Sequence, residues 1–309
     1  MPYHCGMDIG TRLRSYIFEP LAINQAFGFK SLMRYMADLD DGAELFMTKY
    51  REAQASRLPE YYTVSETPML MELSTQEVNK KEKKVAILKL YGTMSIDGGL
   101  CTQGIDALVK EFEMAVNRQD VVAIVLDTYS GGGEALAAQR LGLAIEKARK
   151  VKPVVQFGDF VASGAYWAGA MCNEIVAAGN IAEFGSIGVV IQVDKPAIEY
   201  LKENLISIYA DGSEDKHFDL KSIMGEDYDS LRKKSLNPLR QEFVSIVKAG
   251  RKNISEDALT GHMYQAKEAK KIGLIDHIGD KDFAIQRAIT LSRKYSRINN
   301  AKKALNHVR

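Results

Sequence analysis

Two glycine-rich turns hold the residue types that acyl transfer requires. The first is Asp127-Thr128-Tyr129-Ser130-Gly131-Gly132-Gly133-Glu134, between a continuous apolar run and a helical pattern. Three glycines leave the backbone bare, so its N–H groups can approach a bound group closely. The helix N-terminus adds partial positive charge. A phosphate or a developing oxyanion would be held there, and a plain strand-to-helix turn accounts for the same residues. No Gly-Lys-Ser/Thr follows, and the block is not Gly-x-Gly-x-x-Gly. The second turn, Val161-Ala162-Ser163-Gly164-Ala165-Tyr166-Trp167-Ala168, sets a serine at the opening of a small-residue helix. Its hydroxyl can be presented at a strand end near the N–H of Gly164, or can act as an ordinary helix cap.

A serine nucleophile needs a base. His4 and His307 lie near the ends and His277 sits in an Asp-His turn, while His217 and His262 stay open. A lysine serves where burial disfavours its ammonium form, and lysines are too plentiful for chemistry alone to choose one. The histidines form no close pair, and Cys5, Cys101 and Cys172 are too few and scattered for a disulfide framework or a zinc site. The expectation is no metal, no cofactor and a reducing compartment. Lys plus Arg is 41 against 40 for Asp plus Glu, a balance that argues against a dedicated nucleic-acid binder. The 46 % apolar and 26 % charged content of 309 residues supports a sizeable core and excludes whole-chain disorder. No export signal and no apolar run of about 18 residues is present, so the expectation is an unexported protein without a membrane anchor.

The elements that must position these turns alternate. Strand patterns at 85–91, 121–126, 153–157, 174–178 and 187–193 interleave with helical patterns at 103–117, 134–150 and 162–171. The run Val-Val-Ala-Ile-Val-Leu at 121–126 is the pattern of a strand buried on both faces. Strand–helix alternation of this kind predicts an α/β fold with a largely parallel sheet. Before it, residues 1–84 read as a helical extension, with amphipathic pieces around Leu32, Met36, Leu39, Leu45, Phe46 and Tyr50, and a charged linker at 79–84. After it comes a mostly helical region, with a long amphipathic stretch at 228–252. Residues 283–309 carry seven Lys or Arg and no acid, which reads as a basic arm or a solvated helix. The expected division is 1–84, a domain at 85–282, and a basic tail at 283–309.

Four blocks, in order, resemble the signal peptide peptidase A family of serine–lysine peptidases, which share the ClpP/crotonase fold of repeated ββα units. The glycine-rich turn resembles the family's Ser-Pro-Gly-Gly, with Gly131 in place of proline. Ala162-Ser163-Gly164-Ala165-Tyr166-Trp167 resembles its nucleophile block, with Ala165 in place of a glycine. Gly185-Ser186-Ile187-Gly188-Val189 matches a third block. The segment Ala266-Lys267-Glu268-Ala269-Lys270-Lys271-Ile272-Gly273-Leu274-Ile275-Asp276 resembles the closing one. The resemblance spans residues 85–279.

It implies Ser163 as nucleophile and a lysine about fifty residues later as base. The stretch 211–219 occupies that place, so Lys216 is the candidate, with Lys221 and Lys202 as fallbacks because acids surround Lys216. The resemblance also implies an oxyanion hole of the Gly133 and Gly164 N–H groups. Gly132, Gly185, Ser186, Ile187 and Gly188 would line the substrate cleft, where an extended polypeptide would add beside 185–190. Ser186 would support the lysine or serve as a turn residue. Lacking an anchor, the chain most resembles soluble head-maturation proteases of tailed phages and prophages. These cut capsid or scaffold proteins in the host cytoplasm, inside the assembling prohead. Ring-like homo-oligomers that complete the dyad across a subunit boundary are implied as well. Three alternatives remain: signal-type or other peptide degradation in the cytoplasm, a crotonase-type enzyme acting on an acyl-CoA, and a catalytically inactive assembly protein on the same fold.

Overall fold

The computed structural model of the chain describes residues 21–23, 58–64, 82–99 and 102–307. The strands are β1 (Leu21–Ile23), β2 (Glu60–Thr63), β3 (Lys84–Tyr91), β4 (Gly98–Gly99), β5 (Thr102–Gln103), β6 (Val121–Ser130), β7 (Gly132–Glu134), β8 (Val154–Ala162), β9 (Glu174–Ala177), β10 (Glu183–Gly185), β11 (Met263–Gln265) and β12 (His277–Ile278). The helices are α1 (Ile105–Asn117), α2 (Ala135–Arg149), α3 (Gly164–Gly169), α4 (Lys195–Asn204), α5 (Phe218–Met224), α6 (Tyr228–Leu231), α7 (Asn237–Gly250), α8 (Ala266–Lys271) and α9 (Lys281–His307).

The main sheet runs in the order β11-β10-β8-β6-β3-β2, with β9 branching from β8 and β12 pairing β9. Strands β3, β6, β8, β9, β10 and β12 are joined by parallel pairings, and β2 and β11 are antiparallel additions. The fold is therefore α/β with a mostly parallel sheet. Helices cover both faces, which is why β6 is apolar and buried along most of its length. Alternate residues face opposite layers. Leu88, Ile124 and Leu126 join Leu141 of α2, Trp167 of α3 and Phe243 of α7 on one side. Val85, Ile87, Ala123, Val125 and Val155 meet Ala284, Ile285, Ala288 and Ile289 of α9 on the other.

Strand β8 holds the site in place because it splits. Its first half pairs β9 from Val155 to Gly158, and its second half pairs β10 from Phe160 to Ala162. The register against β6 slips between Thr128 and Tyr129. At this bend a Cβ on Gly158 would stand 2.5 Å from the Thr128 carbonyl oxygen, so glycine is required.

Several expected boundaries move. The strand expected at 187–193 is absent; the pairing strand is β10, just before it. Its apolar residues fit a strand period, but only Ile187 is in the core, and Val190 is 40 % exposed. Within 1–84 the described elements are strands, β1, β2 and the start of β3; the amphipathic pieces at 32–50 lie outside the described residues. The stretch at 228–252 is helical as far as Gly250, with the π-helical turn Arg232–Leu236 between α6 and α7. Pro238 follows at the start of α7, and the wide turn accommodates the ring against the carbonyl four residues back.

The basic stretch 283–309 reads in the sequence as a basic arm or a solvated helix; it is helical as far as His307 but not wholly solvated. It is helix α9, whose first half is a core element, because Ala284, Ile285, Ala288 and Ile289 share one face at helical spacing. Arg287 anchors it further, donating two hydrogen bonds of 2.8 and 2.6 Å to Glu174. No helix among the described residues is long and apolar enough to cross a membrane. Ile285→Ala is expected to lower stability in urea unfolding by about 2–5 kcal/mol, the cost of a truncated core isoleucine. A loss below about 0.5 kcal/mol would return α9 to the status of an appendage.

Candidate active site

Ser163 stands between the end of β8 and the start of α3 with φ 53° and ψ −120°. A non-glycine residue there carries about 1–3 kcal/mol of strain unless its surroundings impose it. This sharp strand-to-helix elbow is the geometry that projects a nucleophile at a strand end. The surroundings do impose it. The Ser163 N–H donates to the Gly185 carbonyl at 2.9 Å, and its carbonyl accepts from the Trp167 N–H at 2.8 Å. All six residues of α3 are buried. Tyr166 donates its hydroxyl to the Leu274 carbonyl at 2.8 Å, and burial raises its pKa so the phenol stays protonated. Trp167 stacks on Phe243 at 4.9 Å between centroids. A Cβ on Gly169 would reach 1.9 Å from the buried Gln156 side chain, so glycine at 169 lets α3 lie this close to the sheet. Ser163 is 1 % exposed, and its hydroxyl has no hydrogen-bond partner among the described residues.

The glycine edge is held separately. Gly132 has φ 90°, and a Cβ on Gly133 would fall 2.0 Å from the Met94 carbonyl oxygen. The Met94 N–H donates to the Gly132 carbonyl at 2.8 Å, and the Glu134 N–H donates to the Met94 carbonyl at 3.0 Å. Both peptide groups flanking Gly133 are trans. With one end of each turned to Met94, the Gly133 N–H and carbonyl must point to the opposite edge. Strand β7 packs against α3, so this N–H and that of Gly164 lie at neighbouring backbone. Gly164 opens α3, and a first-turn N–H has no acceptor inside its own helix.

Gly185 and Ser186 complete the neighbourhood. Gly185 pairs with Ala162 in β8, and its Cβ would stand 2.4 Å from the His262 carbonyl oxygen. Ser186 has φ 55° and donates its N–H to the same carbonyl at 2.9 Å. Ile187 is fully buried in the core, so only its backbone is available to a substrate. Gly188 lies alongside Gly261, 3.5 Å from a built Cβ.

The structure thus brings Ser163, Gly164, Gly185 and Ser186 together beside the Gly132–Gly133 edge. Among the described residues no hydrogen bond or ion pair joins Lys216 to them. Lys216 lies exposed in the turn before α5, and among the described residues its side chain makes no hydrogen bond or ion pair. Lys221 donates to the Glu214 carbonyl at 2.6 Å, and Lys202 is 3.6 Å from Glu226. All three belong to the segment 195–236, around a small cluster of Ile198, Ile223 and Leu231.

Some residues of the site went without an assigned role in the sequence. Ser130 donates its hydroxyl to the Gly92 carbonyl at 2.6 Å and accepts from the Gly132 N–H at 3.1 Å. It fastens the glycine edge to the end of β3. Its place inside the glycine-rich block was the available signal; nothing local marked Gly92 or Met94. Asp127, which opens that block, faces the α9 layer, accepting from Tyr91 at 2.8 Å and pairing Lys281 at 2.7 Å. Asp276, in the closing block, accepts from the Ile175 N–H at 2.7 Å and takes two hydrogen bonds from buried Arg251. Burial opposes the Arg251 charge, but the Asp276 carboxylate outweighs it and holds that pKa above its ordinary value. The buried Cys172 thiol is pushed up to about 12 by burial, which removes it as a nucleophile near neutral pH. Among the described residues no group of three His, Cys, Asp or Glu is placed to hold a metal.

Residues 146–294 match the family described as Peptidase family S49. The chain is 30 % identical over 189 residues to Protease 4 of Salmonella typhi, covering 56 % of this chain and 29 % of that protein. It is 30 % identical over 173 residues to a putative protease of Methanocaldococcus jannaschii, covering 54 % and 55 %. A chloroplastic serine protease SPPA of Arabidopsis thaliana is 27 % identical over 234 residues, 71 % of this chain and 33 % of that one. The chain thus spans 29 % and 55 % of the lengths of the first two relatives. Among solved structures, an enoyl-CoA hydratase from Shewanella pealeana aligns with TM-score 0.41 at 13 % identity, over 73 % of this chain and 78 % of that one. A membrane-bound stomatin-specific protease mutant with a substrate peptide aligns with TM-score 0.38 at 12 % identity, over 65 % and 78 %. The S49 match thus covers just under half of the chain, and it overlaps the stretch over which the protease-named relatives align.

Ser130→Ala strips partners from the Gly92 carbonyl and the Gly132 N–H. It is expected to cost about 1–3 kcal/mol in urea unfolding and to speed amide exchange at Gly132 and Gly133 relative to β6. Unchanged exchange would show that Ser130 does not fasten this edge.

Proposed function

We propose that the chain is a serine endopeptidase working through an acyl-enzyme, with Ser163 as nucleophile and Lys216 as general base. The strained elbow of Ser163 beside a glycine edge with an outward N–H at Gly133 is the observation that carries this reading. Lys216 takes the hydroxyl proton as Ser163 Oγ attacks a peptide carbonyl. The Gly133 and Gly164 N–H groups receive the oxyanion, an electrostatic term in which one donor is worth about 2.7–4 kcal/mol. The carbon–nitrogen bond then breaks, and the lysine ammonium gives its proton to the departing amine. Water, deprotonated by the same lysine, hydrolyses the ester and restores the serine. No metal or cofactor enters these steps.

Lys216 is exposed and makes no hydrogen bond to Ser163 among the described residues, which favours a ring-like homo-oligomer in which a second copy carries Lys216 to the serine. Ile206 and Ile208, 88 % and 92 % exposed on the same segment, are consistent with a surface covered on assembly. The proposed substrate is an extended polypeptide lying along the 185–188 segment. Capsid or scaffold proteins cut inside a phage or prophage prohead, in the bacterial cytoplasm, are the reading the sequence resemblance favours. The same exposure of Lys216 favours one second reading, an inactive assembly protein that keeps the fold.

A fluorophosphonate probe decides between them. Wild type is expected to label on one serine, with Ser163→Ala unlabelled and equally folded. Lys216→Ala is expected to lose labelling by at least about 100-fold, the scale of a general base. Labelling retained in Lys216→Ala moves the base to another lysine, Lys221 first. Absence of labelling in the assembled wild type removes the peptidase reading and leaves the assembly protein.

A further inference from the structure

The edge of β7 that faces away from Met94 is not bare. Strand β1 pairs with it antiparallel, with Leu21 opposite Glu134, Ala22 opposite Gly133 and Ile23 opposite Gly132. The Gly132 carbonyl and the Glu134 N–H are both turned to Met94. Planarity of the two trans peptides turns the Gly133 N–H and carbonyl the other way, toward Ala22. An antiparallel pair of this kind exchanges both backbone hydrogen bonds between the opposed residues. The N–H proposed to receive the oxyanion and the carbonyl beside it therefore face the backbone of Ala22.

We infer that the β7 edge is a docking edge for extended peptide and that Leu21–Ile23 of this same chain is its resting occupant, a built-in competitor for substrate. The inference rests on the reading of Gly133 as an oxyanion donor beside Ser163. Three features carry it. The edge is already hydrogen-bonded on its Met94 side, so one further strand is all it can accept. Glycine is enforced at Gly133 by the Met94 carbonyl, so no side chain there obstructs a strand. The occupant comes from the same polypeptide, more than a hundred residues earlier in sequence, so its local concentration is fixed and dilution does not remove it. A substrate strand must displace β1 before its own carbonyl can reach the Gly133 N–H. The fraction of molecules with β1 released then sets the apparent affinity, while turnover of bound substrate is untouched.

The test uses the full-length chain. Proline has no N–H to offer and is excluded from a paired position; Ala22→Pro therefore removes the donor that faces Gly133. With a fluorogenic peptide amide carrying alanine before the cut, Ala22→Pro is expected to lower KM about tenfold with kcat unchanged, as for an occupant present in about nine molecules of ten. Fluorescence of Trp167, the single tryptophan, reports that the core is intact. A second readout needs neither activity nor a variant: amide hydrogen exchange of Leu21–Ile23 and Gly133 in the unmutated chain is expected to be slow, and to quicken when a non-cleavable peptide is added. Fast exchange at Leu21–Ile23, or an unchanged KM in Ala22→Pro, overturns the proposal. A chain shortened at Ala22 on intact mass also overturns it, since the segment is then a substrate. Slow exchange with no turnover in any variant sinks the peptidase reading and, with it, the role of β1 in restraining catalysis. Fast exchange with turnover present sinks the occupant alone.

Discussion

The backbone of Ser163 at φ 53° is the constraint around which the neighbourhood is arranged. Strain of about 1–3 kcal/mol persists only where other interactions over-determine the conformation. Those interactions reach Ser163 from three directions. The Gly185 carbonyl fixes its N–H, the Trp167 N–H fixes its carbonyl, and the burial of α3 holds the helix that begins one residue later. The last is the strongest, since a fully buried aromatic contributes more than either hydrogen bond alone. It also explains the composition of 162–170. A helix pressed this close to the sheet has room for Gly and Ala along most of its length, and its two aromatics point to Phe243 and to the Leu274 turn.

The same logic couples the distant closing block to the elbow. Tyr166 is tied to Leu274, and two residues on, Asp276 holds both the start of β9 and the buried Arg251. A buried ion pair is weak evidence for stability, because desolvation offsets attraction. Removing one partner, however, strands a charge beneath the turn that receives Tyr166. The Arg251–Asp276 pair is therefore best understood as specifying where that turn sits. Ser163 inherits this definition through α3, and the glycine edge inherits its own through Ser130 and Met94. Two independently fastened backbones meet at the candidate oxyanion hole, an arrangement that fixes the directions of their N–H groups.

How much of this was legible in the sequence differs by element for physical reasons. The run at 121–126 was plain because a strand covered on both faces must be apolar at every position. Helices α1 and α2 were plain because one buried stripe imposes a helical period. The segment 187–193 misled because Ile187, Val189, Val190, Ile191 and Val193 mimic a strand, while pairing was settled earlier, at the three residues of β10 next to β8. The tail misled because its charge was counted and its Ala284–Ile285–Ala288–Ile289 stripe was not. Ser163 could be named from its block. The contacts that hold it could not, since Gly185, Leu274, Met94 and Gly92 are joined to it only by the fold.

The lysine is the extreme case. A base is defined by distance to its nucleophile, and no local pattern encodes a distance between 163 and 216. The fold makes the problem sharper by placing Lys216 on a segment with a small hydrophobic cluster of its own, Ile198, Ile223 and Leu231. Few buried apolar contacts mean a low local free energy of opening, so this segment is poorly suited to fix a side chain within the few tenths of an ångström that proton transfer needs. Ile206 and Ile208, between α4 and α5, are almost wholly exposed. Burying each is worth about 1.5–3 kcal/mol. Contact of these two side chains with another surface would therefore add to the packing that holds the segment. On the proposed dyad, the half of the site that supplies the proton acceptor would gain rigidity from a surface that covers those two isoleucines, while the Ser163 half is already held by contacts within one chain.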